Sequence, residues 1–303
     1  MPPRSKWQRL PTEAINPASR TIDTLSLGGI VEMMISDNRS VLRAVRREKA
    51  QIARAAGILA GALQKGGRLI LVGAGTSGRL GLLEAAEMPP TFGISRNTVL
   101  AVLAGGRSAV YRAKEGAEDD AAEGARAIGR LRPTTRDVVV GISASGVTPF
   151  VRGAVARAKS AGARIVGVTC GRRSDLKKFA DVMITLAVGP EVIAGSTRLK
   201  AGTATKIALN ILTTTAMIRM GKTYGNLMVD VKATNEKLRD RARRIIASAT
   251  GLEYSAADAL LARANWNVKA AIVMQKTGLP RVKALARLRA SHDFVRKALP
   301  GRR

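Results

Sequence analysis

Four short apolar runs punctuate the middle of the chain: Arg68–Val72, Thr98–Leu103, Asp137–Ile142 and Arg164–Thr169. A fifth lies at 182–186. Stretches with helical spacing separate them, at 77–87, 117–130 and 149–160. Runs this apolar are strands buried on both faces, and strands joined through helices lie parallel. The pattern predicts an α/β fold, a doubly wound parallel sheet with helices on both faces. Aromatic residues make up only 3% of the chain, so its core must be built from Ala, Val, Ile, Leu and Met.

The flanks read differently. Residues 1–26 are rich in Pro, Ser and Thr, include Thr12-Glu13-Ala14-Ile15-Asn16-Pro17, and predict an extended arm. Apolar residues then recur at helical spacing from Leu27 to about Lys65, where Gly66-Gly67 stops them. A long buried helix is expected at 199–220 and a charged one at 234–249. Two short helices around Asn265-Trp266-Asn267 make a compact appendage reminiscent of ubiquitin-associated (UBA-like) bundles. The last twenty residues are basic and are expected to fray. The expected division is an arm (1–26), a sheet domain with flanking helices (27–248), and a small helical module with a basic tail (249–303).

Several chemistries are excluded by composition. The chain has one cysteine, Cys170, and one histidine, His292, which sits in the basic tail. Intrachain disulfides, Cys-rich or multi-His metal sites and His-dependent triads are therefore out of reach. Catalysis must rest on carboxylates, lysines, hydroxyls or backbone amides, and no metal or cofactor is expected. No stretch approaches the ~20 apolar residues of a membrane span. Met1–Lys6 carries no apolar run of a secretory signal, so a cytoplasmic location is expected. Lys and Arg number 51 against 22 Asp and Glu, a net charge of +29. The basic clusters at 39–54, 152–178 and 281–303 are spaced like solvated helix faces. With no aromatic platform, zinc finger or recognition helix, specific nucleic-acid binding is not expected. An anionic small substrate would be drawn to the same field.

Ligands of open α/β sheets bind beyond the C-terminal strand ends. Two hydroxyl-rich turns fall there, Gly73-Ala74-Gly75-Thr76-Ser77-Gly78 and Ser143-Ala144-Ser145-Gly146-Val147-Thr148. The first fits G-x-G-x-x-G, a weak signal alone. The acidic ribose ligand of a dinucleotide site is missing, since the second strand runs into Ala104-Gly105-Gly106-Arg107. The Gly-Lys-Ser/Thr of an ATP loop is replaced by Ser77-Gly78-Arg79. Hydroxyls and helix N-terminal N–H groups suit a compact monophosphate. The alternative is that these hydroxyls merely cap the helices that follow.

Gly-Thr-Ser after the first strand and Ser-x-Ser-Gly-x-Thr after a later one resemble the sugar isomerase (SIS) domain. Longer motifs, "GAGTSGRLGLLEAAEMPPTFG", "EGAEDD" at 115–120, "GISASGVTPFV" at 141–151, "GPEVIAGSTRLKAGTATK" at 189–206 and "YGNLMVDVKATNEKLRDRA" at 224–242, resemble the N-acetylmuramic acid 6-phosphate etherase family. That family is similar in fold to the glucokinase regulatory protein. The resemblance implies metal-free cleavage of a D-lactyl ether in cell-wall recycling, and a homodimer with its sites near the subunit interface. It implies a proton donor at Glu87 and a second active-site carboxylate at Glu118. Sequence context gives each a local rationale. Glu87 precedes Pro89 and reads as the end of a helix, where the dipole disfavours ionisation. Glu118 reads as the start of the next helix, where ionisation is favoured and a base is suited. Thr76, Ser77, Ser143, Ser145, Gly146 and Thr148 are expected to hold the phosphosugar, with Ser196 and Thr197 reaching the sugar. Lys200 and Lys206 are candidates for the lactyl carboxylate or phosphate. Other readings are a phosphosugar-sensing regulator without turnover, and a SIS-type transcription factor, for which no helix-turn-helix is found.

Overall fold

The computed structural model describes residues 10–233 and 235–300. The N-terminal residues examined for a secretory signal, the first residues of the arm and Thr234, the predicted start of the charged helix, lie outside them. Five strands, β1 (Leu69–Gly73), β2 (Val99–Leu103), β3 (Val138–Ile142), β4 (Arg164–Thr169) and β5 (Val182–Thr185), pair in the order β2-β1-β3-β4-β5. Every pair is parallel. The order places the ends of β1 and β3 side by side, with Gly73 opposite Ile142. The two hydroxyl-rich turns therefore leave the sheet as neighbours.

The chain divides into two compact units. One holds the described residues up to Ala85 together with Asn97–Thr213; the other holds Ala86–Arg96 and the chain from Thr214. In the sheet unit both faces are covered. Ile70, Val72, Val139 and Ile165 pack under Ile128 of α5 (Ala121–Arg130) and under Phe150, Val151, Ala154 and Val155 of α6 (Pro149–Ser160). Leu71 points the other way, toward Gly81 of α4 (Gly75–Phe92), where a Cβ would stand 3.1 Å from its own. The N-terminal helices are α1 (Leu27–Asp37), α2 (Arg39–Arg47) and α3 (Lys49–Gln64), the last contacting β3 and β5.

Two glycines bring α5 and α6 together backbone to backbone. A Cβ at Gly124 would fall 2.0 Å from the Phe150 carbonyl oxygen, and one at Gly153 would fall 1.9 Å from that of Ala121. The Phe150 amide donates to the Glu118 carbonyl at 2.9 Å. This close packing ties the turn bearing Glu118 to the helix that follows the second hydroxyl loop.

The first helix after β1 is longer than expected. It begins at Gly75 and runs through Pro89 and Pro90 to Phe92. Gly93, at φ +64°, ends it, its amide donating to the Pro89 carbonyl at 3.0 Å. Two prolines in the final turns remove only two donors near the helix end, and the Thr91 hydroxyl donates to the Glu87 carbonyl at 2.7 Å. Glu87 is thus more than a turn short of the terminus, which removes the helix-end argument for its acidity.

The described part of the arm is wound rather than extended, with 3₁₀ turns at Pro11–Glu13, Pro17–Ser19 and Ile22–Thr24. The Ser19 hydroxyl donates to the Val192 carbonyl at 2.8 Å, and the Asn16 amide donates to that of Pro190 at 3.4 Å. The loop so held also starts α7 (Lys200–Arg219). Buried Glu191 accepts from the amides of Lys200 and Ala201 at 3.1 and 2.9 Å.

In the second unit α8 (Glu236–Thr250) joins α9 (Tyr254–Arg263), α10 (Val268–Thr277), α11 (Arg281–Ala290) and α12 (Val295–Ala298). Ala242, Ile246, Leu261, Ala271, Ile272 and Leu288 form their core. The tail does not fray up to Pro300. Ala284, Leu288, Val295 and Ala298 bury an apolar stripe that the surrounding basic residues concealed in the sequence. Trp266 is flanked by the guanidinium groups of Arg239 and Arg243, 5.2 and 5.4 Å from its ring centroid. Among the described residues, no helix is long and apolar enough to cross a membrane.

Candidate functional site

A cavity of about 460 Å³ opens in the sheet unit, at the C-terminal ends of β1 and β3. Its size falls within the usual range for small-molecule sites. Gly75, Thr76 and Ser77 line it from the first turn of α4. The strand reaches that turn because Gly73 and Gly78 nearly touch. A Cβ at Gly73 would stand 2.6 Å from the Gly78 amide nitrogen. Gly75 takes φ +50°, the left-handed conformation that opens the turn. The N-terminal amides of an 18-residue helix, with their positive partial charge, thus begin at the cavity wall.

The second loop contributes Ser145 and Thr148. Thr148 occupies the N-cap position of α6 but its hydroxyl makes no capping bond. It pairs instead with the Ser143 hydroxyl at 2.7 Å. Simple capping therefore does not account for this residue. Ser143 is buried, accepts from the Gly146 amide at 3.0 Å and shapes the loop from beneath without lining the cavity. Gly146 does not line it either. Its φ of +81° and its closeness to Ser174, whose Cβ would be 2.7 Å from an added Cβ, make it the loop's hinge. Thr197 lines the cavity together with Gly195, while its neighbour Ser196 sits in the same turn outside it.

Of the two expected catalytic carboxylates, Glu118 lines this cavity, in the turn before Asp120 caps α5. Its environment is the reverse of the one sequence context suggests. Desolvation, then the charges of Asp119 and Glu115, raise its pKa above the ordinary glutamate value. The cause is position. Glu118 lies ahead of the helix cap and outside the helix, among other acids, so their repulsion and the cavity mouth outweigh the helix dipole. A raised pKa still serves a base, because it makes the carboxylate a stronger proton acceptor near neutrality. Glu87 is exposed, belongs to the second unit and is not among the residues lining the cavity. Glu84, one turn earlier, is buried and accepts from Asn210 and, at 2.8 Å, from the Thr213 hydroxyl, both on α7.

The lysine candidates are occupied elsewhere. Buried Lys200 pairs with Asp37 at 2.7 Å, and Lys206 donates to Asn210. Among the described residues no Lys or Arg lines the cavity. Its charges are Glu13, Glu118 and Asp119. Thr12 and Glu13 went unread as site residues; the arm carries them in, and the carboxylate of Glu13 faces Gly195, where an added Cβ would be 3.0 Å from its Oε2. The Thr-Glu pair ahead of Asn16 was the available signal. Cys170 is buried, and burial pushes its thiol up to about 12, so it is no nucleophile. No cluster of acidic, His or Cys side chains suited to a metal ion occurs among the described residues.

Comparison with known proteins gives two family matches. Residues 51–159 match the glucokinase regulatory protein N-terminal SIS domain, and residues 129–215 match the SIS domain. The N-acetylmuramic acid 6-phosphate etherase of Aeromonas hydrophila subsp. hydrophila is 47% identical over 284 residues, covering 94% of this chain and 95% of its own. N-acetylmuramic acid 6-phosphate etherase 2 of Vibrio cholerae serotype O1 is 47% identical over 290 residues, covering 96% of this chain and 94% of its own. Among solved structures, a phosphoheptose isomerase from Neisseria gonorrhoeae covers 63% of this chain and 98% of its own, with a TM-score of 0.49 and 17% identity.

Proposed function

Because the chain belongs to the N-acetylmuramic acid 6-phosphate etherase family, we propose that it cleaves the D-lactyl ether of N-acetylmuramate 6-phosphate, giving N-acetylglucosamine 6-phosphate and D-lactate. The observation that carries this is the shared cavity. Two hydroxyl-bearing loops and the carboxyl of Glu118 open into the same space. Thr76, Ser77, Ser145 and Thr148, with the first amides of α4, hold the phosphate; Ser143 and Gly146 set the second loop, and Thr197 with Ser196 completes the sugar side.

An ether resists direct hydrolysis because an alkoxide is a poor leaving group. Elimination avoids this. In the open-chain sugar the C2 proton lies beside the aldehyde and is acidic. Glu118 takes that proton; the family resemblance gives Glu87, which lies outside the cavity lining, the role of protonating the C3 ether oxygen as the C3–O bond breaks. Water then adds at C3 of the unsaturated aldehyde, and a proton returns to C2. The residue roles follow the family resemblance, and for Glu118 the raised pKa supports the base. A regulator that binds without turnover has no need of that base. A sugar phosphate is made and consumed inside cells, so we place the reaction in the cytoplasm.

Turnover in H₂¹⁸O and D₂O tests the chemistry. Elimination with re-addition puts solvent oxygen on C3 of the sugar, leaves the lactate oxygen unlabelled and introduces deuterium at C2. Label in the lactate with C2–H retained would show displacement at the lactyl carbon and sink the proposal.

We further propose a homodimer. Leu27, Val31 and Ile35 repeat every four residues along α1 and are 85%, 57% and 59% exposed, and α1 buries no residue. A face this apolar is suited to a second copy, whose docking has to outweigh the repulsion between two chains of +29. Sedimentation at micromolar concentration is expected to give twice the chain mass; a monomer there overturns it.

A further inference from the structure

The main cavity leaves one part of the proposed substrate without a partner. N-acetylmuramate 6-phosphate carries two anionic groups, its phosphate and its lactyl carboxylate. Hydroxyls and amides on the strand-end loops suit the first. Beside Glu13, Glu118 and Asp119 the second would meet like charge and, among the described residues, no lining cation.

A smaller cavity of about 160 Å³ adjoins, and Ala74, Gly75 and Glu118 line both. Its composition differs. Lys114 and Arg79 line it beside Glu115 and Glu118, so positive charge offsets the acids there, and small walls such as Ala104, Ala109 and Ala113 leave it room for a few atoms. Arg79 is held in place, its Nε donating to the Val110 carbonyl at 2.9 Å and its Nη2 to that of Ala109 at 2.8 Å. The stem of Lys114 lies along Gly105, where an added Cβ would meet its Cδ at 3.1 Å and its Cβ at 3.2 Å. Lys114 as a whole is exposed.

We propose that this side cavity is a carboxylate site that takes the lactyl group of the substrate and holds D-lactate after cleavage, with Lys114 as the partner of the carboxylate. The proposal rests on the etherase reading and adds where the leaving group goes. The sugar phosphate fills the larger cavity, the alanine walls receive the lactyl methyl, and Glu118, on the shared wall, stands where C2 and C3 bridge the two. Arg79, engaged with backbone carbonyls, supplies positive charge without moving.

Lys114→Met keeps the stem and removes the ammonium. Losing a hydrogen bond to a charged group should raise KM for lactate release about ten- to hundredfold. Affinity for N-acetylglucosamine 6-phosphate, which lacks the lactyl group, should be unchanged, and Lys114→Arg should restore most of KM. Direct D-lactate binding, followed by NMR with N-acetylglucosamine 6-phosphate present, should be seen for the wild type and lost in Lys114→Met. An unchanged KM, an equal loss of N-acetylglucosamine 6-phosphate affinity, or no D-lactate binding by the wild type overturns the site. A wild type that binds D-lactate through Lys114 yet releases none from the ether would overturn the etherase reading and leave the carboxylate site standing.

Discussion

Glu118→Gln is expected to slow lactate release by about 10²–10⁴-fold, the usual contribution of one positioned acid or base. It should slow solvent exchange at C2 by a similar factor, because proton removal precedes loss of lactate. The pH profile gives a second reading of the same residue. A base must be ionised, so the rate falls as pH falls through its pKa. Desolvation, then Asp119 and Glu115, raise that pKa. The acidic limb of kcat/KM should therefore lie above the ordinary glutamate value, and Asp119→Asn should move it down. If Asp119→Asn leaves the limb in place, or Glu118→Gln still exchanges C2 at the wild-type rate, Glu118 is not the base.

Glu87→Gln is expected to cut lactate release by about 10²–10⁴-fold, since an amide cannot deliver the proton to the ether oxygen. Exchange at C2 and binding of N-acetylglucosamine 6-phosphate should persist, which separates it from Glu118→Gln. Glu84→Gln is the control. Its carboxylate is buried between α4 and α7 on Asn210 and Thr213, so the change should lower Tm while leaving the rate near wild type. An active Glu87→Gln beside a folded but inactive Glu84→Gln would reverse the assignment.

What the sequence disclosed was local. Pro149 and the Ala161-Gly162 that follows Ser160 delimit α6 from both sides, and β4 stands between that glycine and Cys170. Loops and strands with such punctuation were read at or near their true bounds. The end of α4 was misread because proline usually breaks a helix, whereas here the lost donors fall in its final turns and Gly93 does the stopping. The acidity of Glu118 was misjudged for a similar reason. The helix begins at Ala121, four residues later than a helical reading of 117–130 required, and that offset leaves the carboxyl outside the helix and among acids. Glu13 was illegible as a site residue because its place depends on distant partners. Asn16 reaches a carbonyl 174 residues away, and no periodicity reports such a contact. The basic tail hid four buried positions spaced on helical faces, since charge was weighed there before period.

Among the described residues the larger cavity is without a lining cation, in a protein of net charge +29. These two facts act on different stages of an encounter. The distant field draws an anion from solution, and dissolved ions weaken that field within a Debye length of about 8 Å at physiological ionic strength. Once seated in the proposed site, the phosphate would be held by uncharged donors at short range, which ions do not reach. With that site, ionic strength is expected to govern how often a phosphosugar arrives and to have little hold on how long it stays.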